Sequence, residues 1–97
     1  GDEADVSLIE RALTESAWQI REGAARALSG VAPALAVPSL SRTLADAHLD
    51  VRKAAVLSLT RWASSAADAR EALGLALDDP DADVRAYARR ALEAAST

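Results

Sequence analysis

Val51-Arg52-Lys53-Ala54-Ala55-Val56-Leu57-Ser58-Leu59 has two counterparts in the chain. Upstream stands Ile20-Arg21-Glu22-Gly23-Ala24-Ala25-Arg26-Ala27-Leu28, and downstream Val84-Arg85-Ala86-Tyr87-Ala88-Arg89-Arg90-Ala91-Leu92. The three arginines are 31 and 33 residues apart. In each segment an aliphatic residue precedes the arginine, an alanine follows three later and a leucine seven later. The match continues upstream: Leu13, Leu44 and Leu77 stand eight residues before the arginine, and Ile9, Leu40 and Leu73 twelve before it. Self-similarity at such a period is the mark of a repeat array.

Each unit reads as two helices. Ile9, Ala12 and Leu13 share one helical face, as do Leu40, Thr43 and Leu44, and Leu73, Ala76 and Leu77. The second helices carry the stripes Ile20, Ala24, Ala27, Leu28; Val51, Ala55, Ser58, Leu59; and Val84, Ala88, Ala91, Leu92. One pair cannot bury its own apolar face, so neighbours must stack. The pattern predicts helices at about 6–14, 17–29, 35–46, 49–63, 66–77 and 82–95. These make three repeats, at about 5–30, 34–63 and 66–95, in a single domain over residues 1–97. The expected fold is an all-α solenoid of three stacked antiparallel helix pairs. Asp5, Ser16, Asp50 and Asp81 or Asp83 are the expected N-terminal markers of helices 1, 2, 4 and 6. Gly30 should end helix 2, and Pro33 and Pro38 should mark the entry to helix 3, where proline is tolerated in the first turn.

Composition agrees. The 97 residues are 51% hydrophobic but only 3% aromatic, with no Phe and no Met. The apolar content is mostly Ala and Leu, strong helix formers, whereas strand-favouring residues are scarce. The absence of Cys excludes disulfides, thiolate metal sites and cysteine nucleophiles. No apolar run approaches the ~20 residues of a membrane span, so the expected location is cytoplasmic. A net charge of −4 weighs against a dedicated nucleic-acid binder, which needs a basic surface.

At these residues the chain resembles the HEAT-repeat family, most closely its short phycobilin-lyase-like repeats. The middle repeat carries most of the likeness, through Ala36-Val37-Pro38-Ser39-Leu40, Leu44-Ala45-Asp46 and Leu49-Asp50-Val51-Arg52-Lys53-Ala54-Ala55. The third repeat adds Leu77-Asp78-Asp79-Pro80-Asp81-Ala82-Asp83-Val84-Arg85. The resemblance implies that Arg21, Asp50, Arg52, Asp83 and Arg85 form a structural ladder between repeats. It also implies that the second helices line a concave surface. The first repeat departs from the pattern, with Gln19 in place of Asp and Ser7 opposite Pro38. Function on such a scaffold lies in grafted surface sites, so the likeness speaks chiefly to fold.

No catalytic or metal constellation emerges, and no cofactor is expected. Asp79, Asp81 and Asp83 resemble the start of a calcium loop, but such a loop needs glycine and glutamate where Val84 and Arg90 stand. A helix-linking turn accounts for them better. The single histidine, His48, reads as a surface or turn residue. Ser64 and Ser65 have no paired base. Trp18 reads as core at a helix–helix turn. Trp62 reads as core or inter-repeat packing, with a second reading as a partner-binding anchor.

Charge is unevenly spread: the first-helix segments sum to −7 and the second-helix segments to +3. The second-helix surface therefore reads as mildly basic around Leu57. The candidate partner-binding residues are Arg26, Lys53, Leu57, Arg61, Trp62 and Arg90. The leading expectation is a non-catalytic protein-interaction scaffold that engages an acidic protein. The alternatives are a nucleic-acid-binding module using Arg26, Lys53, Arg61, Arg89 and Arg90, and an accessory subunit or domain of a larger enzyme. Arg89 takes the place of Ala25 and Val56 at the last repeat's outer face, and the first repeat is acidic. Polar outer faces cap such arrays, so a self-contained monomer is expected.

Overall fold

Short turns between alanine- and leucine-rich segments fold the described residues into six helices. The computed structural model describes residues 3–96. Helix α1 spans Glu3–Ala12, α2 Trp18–Ala27, α3 Pro33–Thr43, α4 Leu49–Thr60, α5 Ala67–Ala76 and α6 Ala82–Ala95. A 3-10 turn, Leu28–Gly30, extends α2. The described residues contain no strand. Within each repeat the two helices pack on one another, and the three pairs stack into two layers. One layer holds α1, α3 and α5, the other α2, α4 and α6. The second helices pack more intimately along the stack than the first helices do, with α4 between α2 and α6.

The core runs unbroken through the stack. Leu28, Leu40, Leu59, Leu73, Val51 and Val84 are fully buried, with alanines between them. The small residues allow close helix approach: Ser58 lies against the first repeat, and its hydroxyl donates to the Ala25 carbonyl at 2.7 Å. Three members of the expected stripes are exposed instead. Ile20 and Ala27 lie on the side of α2 that faces no repeat among the described residues, and Leu77 ends α5 at the other extreme. Their counterparts Val51 and Ser58 are buried because a neighbour covers them.

Helix ends differ from the sequence reading in instructive ways. Helix α1 begins at Glu3, so Asp5 lies inside its first turn, where a carboxylate still suits the helix dipole. Ala17, not Ser16, precedes α2, and no side chain caps it. The Ser16 carbonyl accepts from Arg21 instead. Helix α4 is capped by His48, whose Nδ1 accepts from the Asp50 amide at 3.1 Å; Asp50 falls in the first turn. Asp81 caps α6, accepting from the amides of Asp83 and Val84. Pro33 opens α3 as expected, but Pro38 lies inside the helix on its exposed side, leaving the helix one backbone bond short.

Candidate functional site

Most of the site residues expected from the sequence fall into two systems: a ladder along the intra-repeat turns, and the outer face of the second helices.

The ladder is built from arginines and from acids six residues upstream of the next arginine. Arg21 grips Asp46 side-on, with Nε to Oδ2 at 2.7 Å and Nη2 to Oδ1 at 3.1 Å. Its Nη1 donates to the carbonyls of Glu15 and Ser16, bracing its own turn. Arg52 repeats the arrangement, with Nε to Asp79 Oδ2 at 2.9 Å and Nη1 donating to the Asp46 and Ala47 carbonyls. Arg85 donates to the Asp79 carbonyl at 2.7 Å. Each acid also accepts a local amide, Asp46 from His48 and Asp79 from Asp81, which closes the turn that precedes the second helix. The forked, two-point geometry fixes orientation as well as charge.

This corrects the register of the expected ladder. Arg21, Arg52 and Arg85 stand in it, but the acids are Asp46 and Asp79, not Asp50 and Asp83. The second helices start at Leu49 and Ala82, which carries Asp50 and Asp83 past the turn into the first helical turn. There Asp83 pairs with Lys53 at 3.3 Å, and Asp50 lies beside His48. The three acids of the Asp79–Asp83 stretch are thus each engaged within the protein: one in the ladder, one as a cap, one with a lysine.

Burial alone would raise the Asp46 carboxyl, but the Arg21 guanidinium and the His48 amide outweigh it and hold the group below its ordinary value. A carboxylate whose folded-state pKa is depressed contributes stability above its unfolded value of about 3.9, and loses that contribution as pH falls through the folded value. Thermal midpoints followed from pH 5 downward are expected to fall through this window, and Asp46→Asn to flatten that part of the slope. An unchanged slope in the variant would mean that other carboxylates carry the acid sensitivity.

Beside the ladder, His48 stacks on Trp18, with ring centroids 4.0 Å apart and planes 10° from parallel. The stack joins the turns of the first two repeats. The sequence reading places Trp18 at a helix–helix turn, where it is half-buried, but it misses both the cap and the stack made by His48.

The second-helix face presents Arg26, Lys53 and Leu57 around a shallow hollow of about 190 Å³, with Glu22, Asp50 and Tyr87 completing its rim. Leu57 is 54% exposed. Arg26 pairs with Glu22 one helical turn back at 3.1 Å, and Lys53 with Asp83, so the local charge is largely compensated. The Asp83 hydrogen bond raises the Lys53 ammonium above its ordinary value and keeps it charged. Arg90 is exposed and lies 5.8 Å from the Tyr87 ring centroid. Arg61 follows the end of α4, exposed, and is not among the residues lining the hollow. Trp62 does not belong to this face. It is 7% exposed and packs in the core, so the reading of it as a partner-binding anchor is corrected. Tyr87 is the residue of this face that the sequence reading passed over; it is the one aromatic in α6.

Stacked helix pairs joined by an arginine–aspartate ladder define a helical-repeat solenoid, a class whose members work through exposed helix surfaces. The HEAT repeats family matches residues 6–93 of the chain. The protein belongs to that family. No curated protein matches it. Among the described residues no helix is long and apolar enough to cross a membrane.

Proposed function

We propose that the chain is a non-catalytic protein-binding module that receives its partner on the outer face of α2, α4 and α6. The observation that carries the reading is Leu57. It is the large apolar side chain left exposed at the middle of the second-helix layer, and it is ringed by Arg26, Lys53 and Tyr87. An apolar anchor inside a polar rim is the anatomy of a binding hot spot, where a few residues carry most of the affinity. Membership in the HEAT repeats family supports the scaffold role. The matching partner is a segment with one apolar side chain flanked by carboxylates, able to draw Arg26 from Glu22 and Lys53 from Asp83.

Proteins retained from source-cell lysate by the tagged chain, after nuclease treatment, are identified and then titrated individually. Leu57→Glu combined with Arg90→Glu is expected to weaken the direct complex about a hundredfold, in line with loss of a central anchor, while the thermal midpoint stays within a few degrees. Undiminished binding by this variant would move the partner to another face. Loss of all retained material on nuclease treatment, with steep salt dependence, would favour the nucleic-acid alternative.

A further inference from the structure

The two ends of the stack are unequal, and their differences are complementary. At the N-terminal end, Leu8 is 62% exposed, whereas its counterparts Ser39 and Ala72 are 1% and 3% exposed. Ile20 is 47% exposed, whereas Val51 and Val84 are fully buried. Gly23 and Ala27 are exposed where Ala54 and Ser58 are buried. These are the positions that receive the preceding repeat within the stack, so among the described residues the first repeat presents an uncovered junction face with apolar and small residues.

The ladder is also open at both ends. Glu15 occupies the position of Asp46 and Asp79, six residues before its own arginine, and its carbonyl already accepts from Arg21 as theirs do from Arg52 and Arg85. Its side chain is exposed and meets no arginine among the described residues. At the other end, Arg85 occupies the position of Arg21 and Arg52. Those two direct Nε and Nη2 at the next repeat's aspartate. The same edge of Arg85 meets no carboxylate among the described residues.

We infer that the occupant of the N-terminal face is the C-terminal face of a second copy of this chain, docked head to tail, with Arg85 of one copy gripping Glu15 of the next. Residues 1–16 carry a net charge of −4 and residues 64–97 one of −3, so the attraction between the faces is local, between Glu15 and the Arg85 and exposed Arg89 of the opposing end. Arg89 replaces the buried Ala25 and Val56 of the internal junctions, which makes this contact weaker than a junction within the chain. A heterologous contact of this kind leaves a free face at each end, so it grows past a dimer into open chains, or into rings where the rotation closes. The inference concerns the end faces and stands apart from the second-helix reading. It departs from the expectation of a monomer.

Sedimentation velocity and light scattering on the full chain, at concentrations raised into the millimolar range, test it. The average mass is expected to climb past that of a dimer. Glu15→Arg alone and Arg85→Glu alone each place like charges across the junction, and each is expected to weaken association about tenfold or more. An equimolar mixture of the two variants restores opposite charges at every junction and is expected to regain association. That recovery separates a broken contact from a misfolded chain. Leu8→Lys, at an exposed position, should weaken association with no loss of thermal stability. A monomer at every concentration would overturn the inference. So would a closed dimer insensitive to both reversals, since that would mean pairing through two N-terminal faces.

Discussion

Leu59→Ala is expected to lower the unfolding free energy by about 3–4 kcal/mol. Leu59 is fully buried on α4, the helix packed between α2 and α6. Truncation removes buried methyl groups and leaves a cavity that neighbouring helices fill only in part. Total stability of a chain this size is about 5–15 kcal/mol, so the loss is a large fraction of it. Its position adds a second effect. Stability in a repeat array is a sum of repeat terms and nearest-neighbour junctions, and α4 serves both junctions. The denaturant transition should therefore broaden as well as shift. Leu57→Ala, two residues away on the same helix but 54% exposed, is the matched control and should stay within about 0.5 kcal/mol. Equal losses from the two substitutions would contradict the placement of α4.

Asp79→Ala is expected to cost about 3 kcal/mol. The carboxylate is nearly buried, with 6% side-chain exposure against 14% for Arg52. Its removal leaves the Arg52 fork without its counter-charge and the Asp81 amide without its acceptor. At roughly 4–8 °C per kcal/mol for a chain of this length, the thermal midpoint should drop by about 12–24 °C. Asp79→Asn, which retains an acceptor for the turn, should fall between Ala and the parent. Asp83→Ala tests the ladder register: its side chain is 65% exposed and paired only with Lys53, and such surface pairs contribute about 0–1 kcal/mol. If Asp83→Ala proved the costlier change, the acids of the ladder would be misassigned.

The helix pairs and their order were legible because apolar spacing reports which face of each helix is buried, and three copies of the pattern reinforce one another. What escaped depends on three-dimensional partners. Ile20 and Val51 occupy the same repeat position, yet one is exposed and the other buried, because burial at that position is conferred by the preceding repeat. Asp46 and Asp50 are both acids near one helix start, and only the geometry of the turn decides which reaches Arg21. His48 as a cap left no signal, since histidine is not among the usual N-cap residues. Segment charge suggested a basic second-helix face, but a sum over a segment does not register that Glu22 neutralises Arg26 and Asp83 neutralises Lys53. Trp62 was ambiguous because tryptophan serves cores and binding anchors alike, and its burial decides for the core.

The ladder also works as a ruler. Glu15 to Arg21, Asp46 to Arg52 and Asp79 to Arg85 are each six residues, and every one of these arginines bonds back to the carbonyl of that acidic position. This turn has the same length in all three repeats, and its arginine braces it through those carbonyl bonds. From arginine to the next acid no such measure applies, and there the chain varies: Arg21 to Asp46 is 25 residues and Arg52 to Asp79 is 27. The two additional residues fall between Leu59 and Leu73, in the stretch that links α4 to α5. The difference in length between the repeats thus lies in a connection between repeats and not in the turn that the ladder braces.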